Sequence, residues 1–317
     1  NARTLLRITL FLFLLLFLSG RLGLVLHEFL GHGLAAGLCG GKIEEFRLSV
    51  FGGGWVSYSL ETIMPAGQTI ISLAGIGVEF LAGILLLAAA DYSGKEHLHG
   101  RLMTAFAILL VVHAFYYLTI SFYYGNGDGY IIYHVLREYR EILLPILFAV
   151  SLLSAFGLAA ANAGYFMNMV LPEKESPSPT PLLVCSLAAV SLHAVLTFGE
   201  AALIKDPRME QIMRPAYKIK MEKTYEKRMA RYKQRNNRPL QKKEKKNIRK
   251  ELEREMKPFP VEFPFVAALL AALSFGCIFR IRTPGKTVEM GGRDELRLLA
   301  VLCMISLAGI LVLSTAL

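Results

Sequence analysis

Residues 22–38 read LGLVLHEFLGHGLAAGL, and this stretch decides how the chain is understood. It is apolar enough to lie in a bilayer, yet it holds His27, Glu28 and His32. Ionisable groups inside a membrane span are costly, and they mark functional sites by default. In the zinc motif H-E-x-x-H, histidines four residues apart lie about 40° apart around a helix, so both reach one metal. Here the spacing is H-E-x-x-x-H. An offset of five is about 140° on a regular helix, and on such a helix the two rings cannot share an ion. A π-bulge, eased by Gly31, would absorb the extra residue, and such bulges favour functional sites.

The surroundings are those of a membrane protein. The chain has 317 residues, of which 54% are hydrophobic and only 19% charged. An average soluble chain carries about 25% charge, so an ordinary cytosolic enzyme is disfavoured. Apolar stretches recur at 4–20, 22–38, 66–90, 102–124, 142–171, 182–204, 259–279 and 298–317. Since about 20 residues cross a bilayer, the expected fold is an all-α multi-pass membrane protein of about eight transmembrane helices. Gly20-Arg21 reads as a tight turn or as part of one tilted helix, and residues 1–20 also fit a signal peptide. Cys39, Cys185, Cys277 and Cys303 are far apart and predict neither a disulfide framework nor a zinc knuckle.

Residues 42–59, KIEEFRLSVFGGGWVSYS, alternate apolar and polar around Gly52-Gly53-Gly54. They read as a small β-hairpin following the HEFLGH helix. Residues 205–258 hold 20 Lys/Arg against 8 Asp/Glu, a surplus larger than the +10 of the whole chain. A basic run between apolar spans reads as a cytoplasmic loop that meets anionic headgroups, rather than as a nucleic-acid site. Its composition favours helix, broken by Pro207, Pro215, Pro239 and Pro258. With 205–258 inside, counting backwards puts the hairpin inside, and Arg3 and Arg7 with it. Loop 280–297, rich in arginine, then falls outside against the rule. The expected divisions are a membrane core at 1–140, two spans at 141–204, the basic segment at 205–258 and two spans at 259–317.

HEFLGH is very similar to the HELLGH zinc motif of the dipeptidyl peptidase III family. The order of features resembles the site-2 protease family of intramembrane zinc metalloproteases: a zinc helix, a β-hairpin, the small-residue helix SLAGIGVEF (72–80) and the Asp-Gly motif in YYGNGDGYII (123–132). The likeness covers about residues 20–135. In place of the family's Asn the chain has Glu79, and the proline of the family's Asp-Gly motif is missing. The resemblance implies a zinc ion held by His27, His32 and Asp128, with Glu28 as general base. It also implies Asn126 as a hydrogen-bond donor to the substrate backbone. Glu79, near the middle of its span, reads as a residue close to the site or as a neutral packed acid. His113 and His134 are alternative ligands, and His97, His99 and His193 read as incidental.

The function so implied is zinc-dependent hydrolysis of peptide bonds in or near transmembrane segments of membrane-protein substrates. A transmembrane substrate must unwind locally, and the hairpin edge offers its freed backbone a partner by strand addition. The alternatives are a catalytically inactive membrane scaffold and a transporter, the latter without a visible repeat.

Overall fold

Residues Ala2–Leu38 form one uninterrupted helical run. The computed structural model describes residues 2–59, 65–95, 97–170, 179–236, 241–281 and 300–305. The first run comprises α1 (Ala2–Val25), a π-helical segment (Leu26–Gly33) and α2 (Leu34–Leu38). At 1.5 Å per residue it is roughly 50–55 Å long, well beyond the 30 Å of a hydrocarbon core. The two crossings expected at 4–20 and 22–38 are therefore a single one. Gly20-Arg21 makes no turn, and Arg3 and Arg7 lie at the end of the run opposite the hairpin. Residues of the first half, including Ile8, Phe11, Leu12 and Leu15, are buried in the main apolar core.

The hairpin follows as β1 (Ile43–Leu48) and β2 (Gly54–Tyr58), antiparallel, with Phe46 opposite Val56 and Arg47 opposite Trp55. Next come α3 (Pro65–Ser93), α4 (Leu98–Tyr124), the short α5 (Gly129–Val135), α6 (Arg140–Val170) and α7 (Pro179–Leu203). The basic segment forms α8 (Pro207–Ile212), α9 (Ala216–Asn236) and α10 (Lys242–Met256), with Pro207 opening α8, Pro215 between α8 and α9, and the expected break at Pro239 outside the described residues. α11 (Glu262–Ile281) completes the set.

Among the described residues, five helices are long and apolar enough to cross a membrane. The first two expected spans merge into one helical run, and the stretch Glu262–Cys277 of α11 is a shorter apolar helix. The expected span at 298–317 and the loop at 280–297 lie almost wholly outside the described residues. The spans pack as a chain of neighbours. α3 lies on the π-segment and on α4, α4 on α6, α6 on α11, and α1 on α7 and α4.

The hairpin tip is clamped into this bundle. A buried loop leaves backbone groups that must find partners. The Arg21 guanidinium donates to the carbonyls of Ser49 (2.6 Å), Phe51 (3.1 Å) and Gly52 (2.8 Å). The Glu200 carboxylate, near the end of α7, accepts from the amides of Val50, Phe51 and Gly52 at 2.6–2.8 Å. Thr197 donates a further bond to the Phe51 carbonyl. Below the tip, the Trp55 indole donates to Asp206 at 2.9 Å, Arg208 covers its ring at 5.0 Å, and Arg208 pairs with Glu45. The start of the basic segment and the hairpin therefore share one face of the bundle.

Burial alone would raise the Asp206 carboxyl. The Trp55 N–H, the amides of Met209 and Arg208 and the charge of Arg47 outweigh it and hold the group below the usual carboxylate range. A depressed carboxyl stabilises its contacts above the unfolded value near 3.9, and that contribution is lost as pH falls through the folded value. Trp55 is the only tryptophan in the chain. Its fluorescence is expected to stay constant from neutral pH down to about 4 and to shift red below that, a transition absent in Asp206→Asn. A wild-type emission flat to pH 2 would contradict this.

Candidate metal centre

The extra residue between the histidines is taken up by the π-segment itself. Its i→i+5 hydrogen bonding spans Leu26–Gly33, so residues five apart come onto one face. The His27 and His32 rings lie edge to face with centroids 4.8 Å apart, and both are buried, as is Glu28. Gly31 lets the segment approach α3 closely, since a Cβ there would lie 2.4 Å from the Gly75 Cα. Gly75 faces the two rings. A Cβ on it would sit 2.6 Å from His27 Nε2 and 2.7 Å from His32 Nε2.

Asp128 arrives from the other side, on the loop between α4 and α5. Gly125 (φ 59°) and Gly127 (φ 49°) take left-handed conformations that let the G-N-G-D-G stretch double back. Asp128 Oδ2 lies 2.7 Å from His27 Nε2, and Oδ1 lies 3.1 Å from His32 Nε2. Burial would raise this carboxyl, but the His32 and His27 imidazoles outweigh it and hold it below the ordinary range. One ligand atom from each of the three residues lies within 4.8 Å of the others. Two imidazole nitrogens and a carboxylate oxygen are a donor set suited to zinc, and three protein ligands leave a fourth position open. The gap that Gly75 leaves in front of both rings fits the same reading.

The other expected residues fall as follows. Glu28 shares the buried π-segment, and its Cγ lies 3.3 Å from where a Gly54 side chain would begin, at the start of β2. Glu79 is buried on α3, 3.5 Å from His27 Nδ1 and 2.6 Å from His113 Nδ1. Asn126 is buried beside the loop, and one hydrogen of its Nδ2 is donated to the Met213 carbonyl at 3.1 Å. The second Nδ2 hydrogen is left to donate, and Oδ1 is buried and unpaired among the described residues. His113 faces Glu79 rather than the three-residue cluster. His134 packs against Tyr130 and Tyr133, His97 stacks on His99, and His193 meets Thr197.

Sequence reasoning missed three parts of the centre. The Ile71 carbonyl accepts from His32 Nδ1 at 2.7 Å, which turns Nε2 toward Asp128. Tyr117 packs edge-on against His27 at 5.3 Å. Gly75 supplies the space for both rings. Only the glycine had a signal, in the small residues Ala74, Gly75 and Gly77. Comparison of the chain with protein-family models, with curated proteins and with solved structures finds no match.

Gly75→Ala is expected to abolish stoichiometric metal uptake, because its Cβ would displace both rings. Gly77→Ala, two residues on with open space at its Cβ, is expected to bind normally. Metal analysis of the stripped and reloaded variants checks this, and equal uptake by the two would contradict it.

Proposed function

We propose that this protein is an intramembrane zinc metalloendopeptidase acting on peptide bonds in or near transmembrane segments of membrane proteins. The observation that carries the reading is the convergence of His27, His32 and Asp128 through a π-helical turn that also buries Glu28. His27, His32 and Asp128 would hold the zinc. When bound, it would lower the pKa of a coordinated water and polarise the scissile carbonyl. Glu28 takes the proton of the attacking water and passes it to the leaving amine. Asn126 donates its second Nδ2 hydrogen to the substrate backbone. Among the described residues the sheet has only β1 and β2, and a locally unwound substrate strand adds to one of its outer edges. Segment 205–258 lies in the cytoplasm against anionic headgroups, with membrane-protein substrates as partners and no nucleic acid.

A second reading has its own support. His27 and Asp128 satisfy one another directly at 2.7 Å, a contact that an inactive, metal-free scaffold would also keep. Metal content separates the two readings.

Purified protein reconstituted with a transmembrane peptide is expected to cleave it. Glu28→Gln is expected to slow cleavage by about 10²–10⁴-fold, the range for loss of a general base, while zinc remains bound. Cleavage unchanged in Glu28→Gln would contradict the role of Glu28.

A further inference from the structure

α3 presents three residues to the π-segment at a spacing of four: Ile71, Gly75 and Glu79. Residues i, i+4 and i+8 share one helix face. On this face they form an acceptor, a gap and a second acceptor. The Ile71 carbonyl takes His32 Nδ1. Gly75 leaves room for both rings. Glu79 Oε2 faces His27 Nδ1 at the ion-pair distance of 3.5 Å, and among the described residues this buried oxygen has no hydrogen-bond partner. The two helical stretches run antiparallel here, so that His27 meets Glu79 and His32 meets Ile71.

The Glu79 carboxylate is 1% exposed. A buried carboxylate needs partners on both oxygens. Its other oxygen, Oε1, lies 2.6 Å from His113 Nδ1 on α4. His113 stacks over Tyr117, the same tyrosine that packs against His27. On the α1 side, a Cβ at Gly23 would come within 2.8 Å of Oε1, so the pocket around the carboxylate is closed.

We propose that Glu79 is a positioning residue for the metal centre, holding the Nδ1 edge of His27 so that Nε2 faces His32 and Asp128, and that His113 in turn holds Glu79. This rests on the metal-binding reading above. A histidine that ligates through Nε2 carries its proton on Nδ1, and an acceptor there fixes both the tautomer and the ring orientation. His32 has such an acceptor in a backbone carbonyl. For His27 the acceptor facing Nδ1 is Glu79 Oε2, at 3.5 Å, from the one glutamate of α3. This accounts for a carboxylate in the middle of an otherwise apolar helix.

The test is zinc affinity measured by chelator competition on purified full-length protein, together with the absorption spectrum of the cobalt-loaded form. Wild type, Glu79→Gln, Glu79→Leu and His113→Leu are compared. Glu79→Leu, which removes the acceptor, is expected to weaken zinc binding by about 10–100-fold and to change the cobalt spectrum. Glu79→Gln, whose amide oxygen can still accept, is expected to retain most of the affinity. His113→Leu alters a half-exposed side chain outside the cluster and is expected to weaken binding less than Glu79→Leu. A wild type that binds zinc, with Glu79→Leu and His113→Leu indistinguishable from it, overturns the positioning role and leaves the metal reading intact. A wild type that binds no zinc overturns the metal reading, and this inference with it.

Discussion

The close approach of the π-segment to α3 is the constraint on which the rest of the structure depends. Two histidines five residues apart can serve one centre only if the helix between them is locally widened, and a widened turn must be accommodated by its neighbour. Gly31 and Gly75 provide that accommodation by bringing backbone within reach of backbone. The same face of α3 then supplies the groups that orient the rings. Any side chain at Gly75 would compete for the volume that the imidazoles occupy. The widened turn, the bare helix face and the ring orientations therefore form one unit and cannot be altered separately.

The parts that close around this unit come from distant stretches of sequence. α4 brings Tyr117 and, past its end, the turn that carries Asp128. The hairpin lies over Glu28 through Gly54, and its tip is held by Arg21 and Glu200. The basic segment begins by tying the two together. Asp206 and Arg208 hold the hairpin, while the carbonyls of Ile212 and Met213 take the amides of Gly127 and Asn126. A stretch of eight residues thus links the proposed substrate-binding edge to the loop bearing the proposed third ligand. Under the peptidase reading, a substrate strand reaches the centre past this link.

Local chemistry was legible wherever a single stretch determined it. The alternation at 42–59 gave a hairpin with its break at the glycines, and Pro215 separates α8 from α9. The possibility of a π-turn followed from the five-residue spacing alone. Hydropathy misjudged the first two spans, because Gly20-Arg21 reads as a break when Arg21 has no visible partner. Its partners are three carbonyls some thirty residues away, and no local pattern announces them. The bond from Asn126 to Met213, far along the chain, was hidden for the same reason. The pairing of Glu79 with His113 joins two spans and was likewise out of reach of a linear reading.

The central claim is that His27 and His32 face one ion despite their spacing. Zinc K-edge X-ray absorption on the purified, zinc-loaded protein tests it most directly. The account predicts a sphere of nitrogen and oxygen donors at about 2.0–2.1 Å with the multiple-scattering signature of two imidazoles. That signature should fall to one imidazole when either histidine is replaced. A sphere with sulfur, or one whose imidazole count is unaffected by replacing His32, would contradict it.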